Sequence, residues 1–401
     1  MSDFGLDIAR PGPRYFKASG SGTSDSPHVI ATQLTDDNGN ALSFINSGQL
    51  PVTIYSEGGD DVDVHDGLLH TASAGHAIGE LLIPGHKAWK KTGYNPEIAN
   101  VEETVWSNGG SYVWPTAEQG LEVVSTDNTQ DIGTQIKTGT SDGGTTTTLI
   151  DSGADFTAAT AVAVGDCVIL DKSGTRPEWG KVTGVTATTL TIAGGFSYGG
   201  TGDARDYIIL DYSAHTGASA IYVNYLDSDF VLHGEIIILN GTTVVPTVNT
   251  DFYRINGLKV VCAGSLAYTL GDISLRNLAD TPVYGHITAG YTIGRQAVFT
   301  VPIGVTLYIN YINVAWASPN DSKVQSARII IRANIDESNS FNSGPIFYPY
   351  MEIQVTNQAV TVQNEVPVRI PAKTDVIVSC VSSNAAGVGP STVVMRGWVE
   401  S

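Results

Sequence analysis

Charge is scarce in this chain, and most of it is negative. Asp, Glu, Lys and Arg make up 15% of the residues, well under the roughly 25% of an ordinary soluble domain. Lys and Arg total 21 against 40 acidic residues, a formal net charge of −19. Phosphate backbones are held by clustered Lys and Arg, so this balance argues against a nucleic-acid partner. The one local basic run, His86-Lys87-Ala88-Trp89-Lys90-Lys91, is short. Long apolar runs are also missing: no stretch approaches the ~18 residues of a membrane-spanning helix, and no membrane partner is expected. The opening residues, MSDFGLDIARPGPRYF, lack the basic-then-apolar order of an export signal, so synthesis in the cytosol is expected. Cysteine is sparse. Cys167, Cys262 and Cys380 are odd in number, far apart and set in apolar runs such as "LKVVCAG". Buried free thiols are expected from that pattern, rather than disulfides or a metal site.

What is present points to strands. Hydrophobic residues reach 42% and glycines number 44; Thr, Val, Ile and Tyr are frequent, a mix that suits pleated sheets and tight turns. At 401 residues the chain should divide into two to four domains. Residues 1–92 read as an extended N-terminal arm with short strands. "RPGPRYFKASGSGTSDSP" is denied regular structure by its prolines and glycines, while "HVIATQLTDDNGNAL" and "QLPVTIYSEGGDD" each suggest a strand running into a turn. Such an arm buries little by itself and should be stable only when laid on another surface. "VEETVW" and "SYVWP" read as a hairpin about Asn108-Gly109. "GLEVVST", "SAIYVNYLD", "GEIIILNG", "TTVVPT", "DFYRINGLKVVCAG" and "GDISLRN" follow at about ten-residue spacing, as in a sandwich or barrel. Residues 93–139 plus 211–290 are therefore expected to form one β-sandwich, and residues 291–401 a second. Pro367 and Pro371 suggest an edge strand or its ends. The fold class expected is all-β, with sandwich or jelly-roll domains.

Residues 140–210 differ in texture. "TTTLID", "GDCVILD", "WGKVTGVTATTLTIAG" and "DYIIL" mark a self-contained cycle of about five strands, like a small SH3- or OB-type barrel. The flanks, "DIGTQIKTGT" and "HTGASAIYVNYLD", read as one unit broken by an insertion at a loop tip, where the ends of a small domain lie close together.

Several segments, in order, resemble a module of tailed-phage virion structural proteins. They are "NPEIANVEETVWSNGGSYVWPTAEQGLEVVSTDNTQDIGT", "TGASAIYVNYLDSDF", "GEIIILNGTTVVPT", "FYRINGLKVVCAGS" and "GDISLRN". "FTVPIGVTLYI" and "IPAKTDVIVS" resemble the sandwich that follows that module. The resemblance covers residues 94–138 and 212–401, not the arm; the insert separately resembles small β modules of phage tail and fibre proteins. It implies a virion component on the capsid exterior. A decoration or cement protein would bind the major capsid protein, associate with its own copies as a homo-oligomer, a trimer foremost, and cross-link the shell. The alternative is a head or tail fibre that attaches to host glycans.

Candidate chemistry is thin. Arg10, Arg14, Tyr15 and Phe16 are the candidate capsid or inter-subunit contacts. Phe347, Tyr348 and Tyr350, in "SNSFNSGPIFYPY", are the candidate glycan contacts. Asp60, Asp61, Asp63 and Asp66, with His65, could offer oxygens to Ca²⁺, but their spacing does not fit an EF-hand loop and a solvated acidic turn is the preferred reading. Glycoside hydrolysis needs two carboxylates in a cleft. Glu102 with Glu103, or Asp227 with Asp229, are candidates that no motif singles out, and no signature of a nucleophile elbow, zinc protease or phosphate loop occurs. No enzyme activity and no cofactor are expected. Trp106, Tyr112 and Trp114 are read as rings closing a core rather than as a sugar platform.

Overall fold

The computed structural model describes residues 86–401, except 159–160, 194–195, 198–201, 318–326, 335–347, 357–358 and 384–387; before residue 86 it describes six short strands. The chain divides into two compact units, Met1–Leu81 and Leu82–Ser401. Among the described residues there is no helix. The fold is all-β, built of antiparallel sheets.

In the first unit, Phe4–Leu6 pairs with Arg14–Phe16, Ala18–Ser19 with Val29–Ile30, and Ile54–Tyr55 with Asp61–Val62. The stretch from Arg10 to Pro27 thus holds two strands where none was expected. Pro11 and Pro13 precede Arg14–Phe16 in sequence and so do not interrupt it.

The second unit opens with a correction to the arm boundary. His86–Ile98 is one strand of 13 residues, and it pairs with Gly389–Glu400 from Glu400↔His86 to Gly389↔Ile98. Residues 86–92 therefore belong to the C-terminal sandwich. Exposed Lys87 and Lys90 disguised the strand, while Trp89 between them packs on the core. This strand lies at a sheet edge, where lysines are usual because they deter stray pairing. Glu103–Thr104 also pairs into this sandwich, with Asp375–Ser382. Residues 93–105, assigned from sequence to the first sandwich, contribute Ile98 and Val105 to the C-terminal core.

That C-terminal module has two faces, of five strands and of four, the fifth strand being Glu103–Thr104 beside Asp375–Ser382. One runs Val298–Thr300, Asp375–Ser382, Ala327–Asn334, Tyr348–Val355; the other runs Ala359–Ile370, Thr306–Trp316, Gly389–Glu400, His86–Ile98. The chain repeatedly switches face, as in a jelly roll. Thr306–Trp316 shows why. Leu307, Ile309, Ile312, Val314 and Trp316 point inward, and a register shift between Ile309 and Tyr311 keeps the apolar set on one side. Pro367 sits in the edge strand Ala359–Ile370.

The other sandwich sets Leu232–Ile238, Ala218–Leu226, Arg254–Ala263 against Val245–Pro246, Leu121–Ser125, Ile273–Asn277, Val283–Ile287. Ile221, Val223 and Tyr225 face the core between the sheets, so Tyr222 and Asn224 alternate to the outer face. The insert is a seven-strand sheet in the order Gln135–Thr140, Asp206–Leu210, Cys167–Leu170, Glu178–Val185, Thr189–Ala193, Thr148–Ile150, Gly143–Thr145. Its two edge strands are nearly continuous in sequence, so the bend at Ser141-Asp142 curls the sheet into a barrel. Leu149, Phe156, Val168, Val182, Leu190 and Ile209 fill it. It begins at Gln135 rather than 140 and has seven strands rather than five, because Gln135–Thr140 pairs with Asp206–Leu210.

Candidate functional site

Several deeply buried polar side chains gather where modules meet. The segment from Glu103 to Thr116 forms one such junction, and it is not the expected hairpin. Only Glu103–Thr104 is a strand, and it pairs elsewhere. Gly109 and Gly110 take φ of 73° and 66°, turning the chain so that Trp106 Nε1 donates to the Gly110 carbonyl at 3.0 Å. The Tyr112 amide donates to Thr104 Oγ1 at 2.9 Å, which takes the place of a ladder bond. Tyr112 then stands edge-on to Trp106 and to Trp114, at 5.1 Å from each. Val283, Val298 and Ile377 close the cluster from both sandwiches. The core reading of these rings holds, and burial pushes the Tyr112 phenol well above its usual range.

Beside the rings lies a buried ion pair. Arg254, in the first sandwich, donates from Nε to both Asp375 oxygens at 3.0 and 3.2 Å, and from Nη2 at 3.1 Å. Its Nη1 donates to the Pro115 carbonyl at 3.0 Å. The guanidinium lies over Tyr253 at 4.0 Å and Trp114 at 5.0 Å. Thr300 Oγ1 donates to Asp375, and Asn256 exchanges two hydrogen bonds of 2.8 Å with the Thr300 backbone. Strand Arg254–Ala263 is thus fastened to Val298–Thr300 and Asp375–Ser382 by charge-assisted bonds.

The neck of the insert is a second junction. Asp131 is fully buried and accepts from Ser125 Oγ at 2.7 Å and from the amides of Ala218, Leu270 and Gly271 at 2.8–3.0 Å. Gln130 Oε1 accepts from the Thr216 amide and hydroxyl. The two ends of the insertion are therefore tied together, and a Cβ on Gly217 would stand 2.4 Å from Asp131 Oδ1. Further out, Cys167 of the barrel and Cys262 of the sandwich form a disulfide, their Cα atoms 5.9 Å apart. This corrects the expectation of three free thiols; only Cys380 is free, and burial pushes its pKa up to about 12. The two cysteines are 95 residues apart and meet because Ile169 and Leu210 pack on Ala220, Ile236 and Cys262.

The carboxylates considered for catalysis do not converge. Glu102 accepts from Ser379 Oγ and Glu103 from Asn95 Nδ2. Asp227 closes a turn, accepting the amides of Asp229 and Val231 and facing His233 Nε2 at 2.8 Å. Asp229 is exposed. Sequence reading missed Glu235, almost wholly buried, whose pKa burial raises while the amides of Val248 and Asn249 donate to it. It also missed Arg205, which binds Asp171 at 2.8 Å and Glu178 inside the barrel. An acid amid "GEIIIL" was the only available hint of the first; nothing local marks the second. Among the described residues no group of three or more His, Cys, Asp or Glu could hold a metal.

Arg10, Asp60, Asp63, His65, Asp66 and Phe347 lie outside the described residues. Arg14, Tyr15 and Phe16 are placed by backbone alone, opposite Leu6, Gly5 and Phe4, and Asp61 opposite Tyr55. Tyr348 pairs with Ala333, and Tyr350 falls at the register shift between Pro349 and Met351.

No protein-family model and no curated protein matches the chain. Among solved structures, those of the infectious bursal disease virus Gx and Gt strains align over 80% of this chain at 11% identity. They cover 77% and 76% of those chains, with TM-scores of 0.13 and 0.11. Likeness at that level carries no argument about fold or function.

Proposed function

We propose that the chain is a non-enzymatic structural component of a bacteriophage virion, a decoration or cement protein of the capsid exterior that acts as a homo-oligomer, a trimer foremost. One observation carries this reading: each segment that resembles the phage module supplies a fastener. "STDNTQD" brings Ser125 to Asp131. "LDSD" is the Asp227 turn, "GEIIILNGT" contains Glu235 clamping the Val248–Asn249 loop, and "FYR" carries Phe252, stacked on Tyr225 at 3.8 Å, and Arg254. Residues placed for chemistry would converge on a cleft; these instead pin the strands and loops of one sandwich, and Arg254 ties that sandwich to the C-terminal one.

On this reading the work is mechanical. Rigid sandwiches are anchored to neighbouring capsid subunits, and several weak contacts held on one chain add up to a strong grip. The arm supplies one set of those contacts. The test is co-sedimentation with shells that lack the protein, comparing the full chain with residues 82–401. The shorter form keeps the strand His86–Ile98 and so its C-terminal sandwich. Loss of attachment is expected; full occupancy of shells by the truncated protein would overturn the proposal.

A further inference from the structure

A cleft of about 290 Å³ opens where the edge strand His86–Ile98 crosses the outer face of the three-strand sheet. It approaches the roughly 300–1,000 Å³ of small-molecule sites, room for one sugar ring. Lys90, Lys91 and Lys259 line it, in a chain of net charge −19. Among the described residues no carboxylate pairs with any of the three. Lys91 is more than nine-tenths buried and spends one N–H on the Asn256 carbonyl, and a buried ammonium short of partners is costly. Lys259 Nζ is held over Tyr222 at 5.1 Å and Trp179 at 4.3 Å. Asn224 lines the same cleft, and its Oδ1 is buried with no hydrogen-bond partner.

We propose that this cleft binds a carboxylate-bearing sugar, such as a uronic acid residue. Its carboxylate pairs with Lys91 and Lys259, since Lys90, the next residue of the strand, turns its side chain to the opposite, exposed face, and a ring hydroxyl donates to Asn224 Oδ1. A neutral sugar offers these lysines no counter-charge. Sulfate brings no donor for Asn224, and the cleft has neither an arginine fork nor a glycine-rich cradle of amides to prefer sulfate or phosphate. The proposal holds whether or not the chain sits on a capsid.

Calorimetric titration of the full chain with glucuronate tests it, with glucose, sulfate and inorganic phosphate as parallel probes. Saturable glucuronate binding is expected, weakened at least tenfold by Lys91→Met and by Lys259→Ala, with each other probe binding at least tenfold more weakly. Lys259 is only half-buried, so Lys259→Ala carries the test if Lys91→Met fails to fold. Equal binding of glucose, sulfate or phosphate would overturn the proposal. So would unchanged affinity in folded Lys259→Ala, or no saturation at millimolar glucuronate.

Discussion

Arg254 is the residue on which the joint between sandwiches most depends. With Asp375 it is over nine-tenths buried, and removing one partner leaves the other charge stranded, at a cost of about 3–5 kcal/mol. Denaturant unfolding of Arg254→Met should show a loss of that size, and Arg254→Met with Asp375→Leu should recover most of it. Lys91 gives a pH signature. Burial lowers its pKa from 10.5 to about 7, so between those values the unfolded chain holds a proton that the folded chain has released. Stability from this group therefore rises with pH, by up to about 1.4 kcal/mol per unit. Buried Cys380 opposes it above its ordinary value of 9.0, because a raised thiol pKa favours the fold only while the thiol is neutral. Thermal unfolding should show stability rising from pH 7 to pH 9, and Lys91→Met should flatten that rise. At this scale the aromatic core of Trp106 and Tyr112 was legible, since large rings on short spacings rarely stay exposed. The Arg254–Asp375 pair was not, because its members are 121 residues apart and nothing near either names the other.

Strands were the most legible elements. Ala218–Leu226 and Arg254–Ala263 alternate in and out about a sandwich core, and that period of two survives in sequence. His86–Ile98 was misread because an edge strand may carry lysines that a central strand could not. Gln135–Thr140 was lost for a related reason: no residue of this barrel edge is fully buried, so no apolar alternation marks it. The insertion itself was visible, but the disulfide that bolts it down was not, since pairing depends on which faces pack. Reducing that bond, or substituting Cys262→Ser, should cost stability; closing a 95-residue separation is worth roughly 4–5 kcal/mol in the chain-entropy model. Faster proteolysis of the barrel under reductant would show it, while an unchanged digestion pattern would count against the bolt. At the neck, Gly217→Ala should cost roughly 1–3 kcal/mol by overpacking, read as a lowered unfolding midpoint, because the added methyl meets Asp131.

The second unit as a whole is two sandwiches and a barrel joined by buried polar fasteners, and the account reads that construction as one made to bear load. Domain boundaries were only partly legible, because the chain enters the C-terminal sandwich first, through His86–Ile98 and Glu103–Thr104, then builds the other sandwich and returns. No composition shift marks such an interleaving. The most direct measurement is electron microscopy of particles released from cells that produce the chain, with antibody bound to the barrel at residues 135–210. The account predicts label at regularly repeated positions over the head exterior. Particles that carry none of the chain, with all of the label in the soluble fraction, would contradict it.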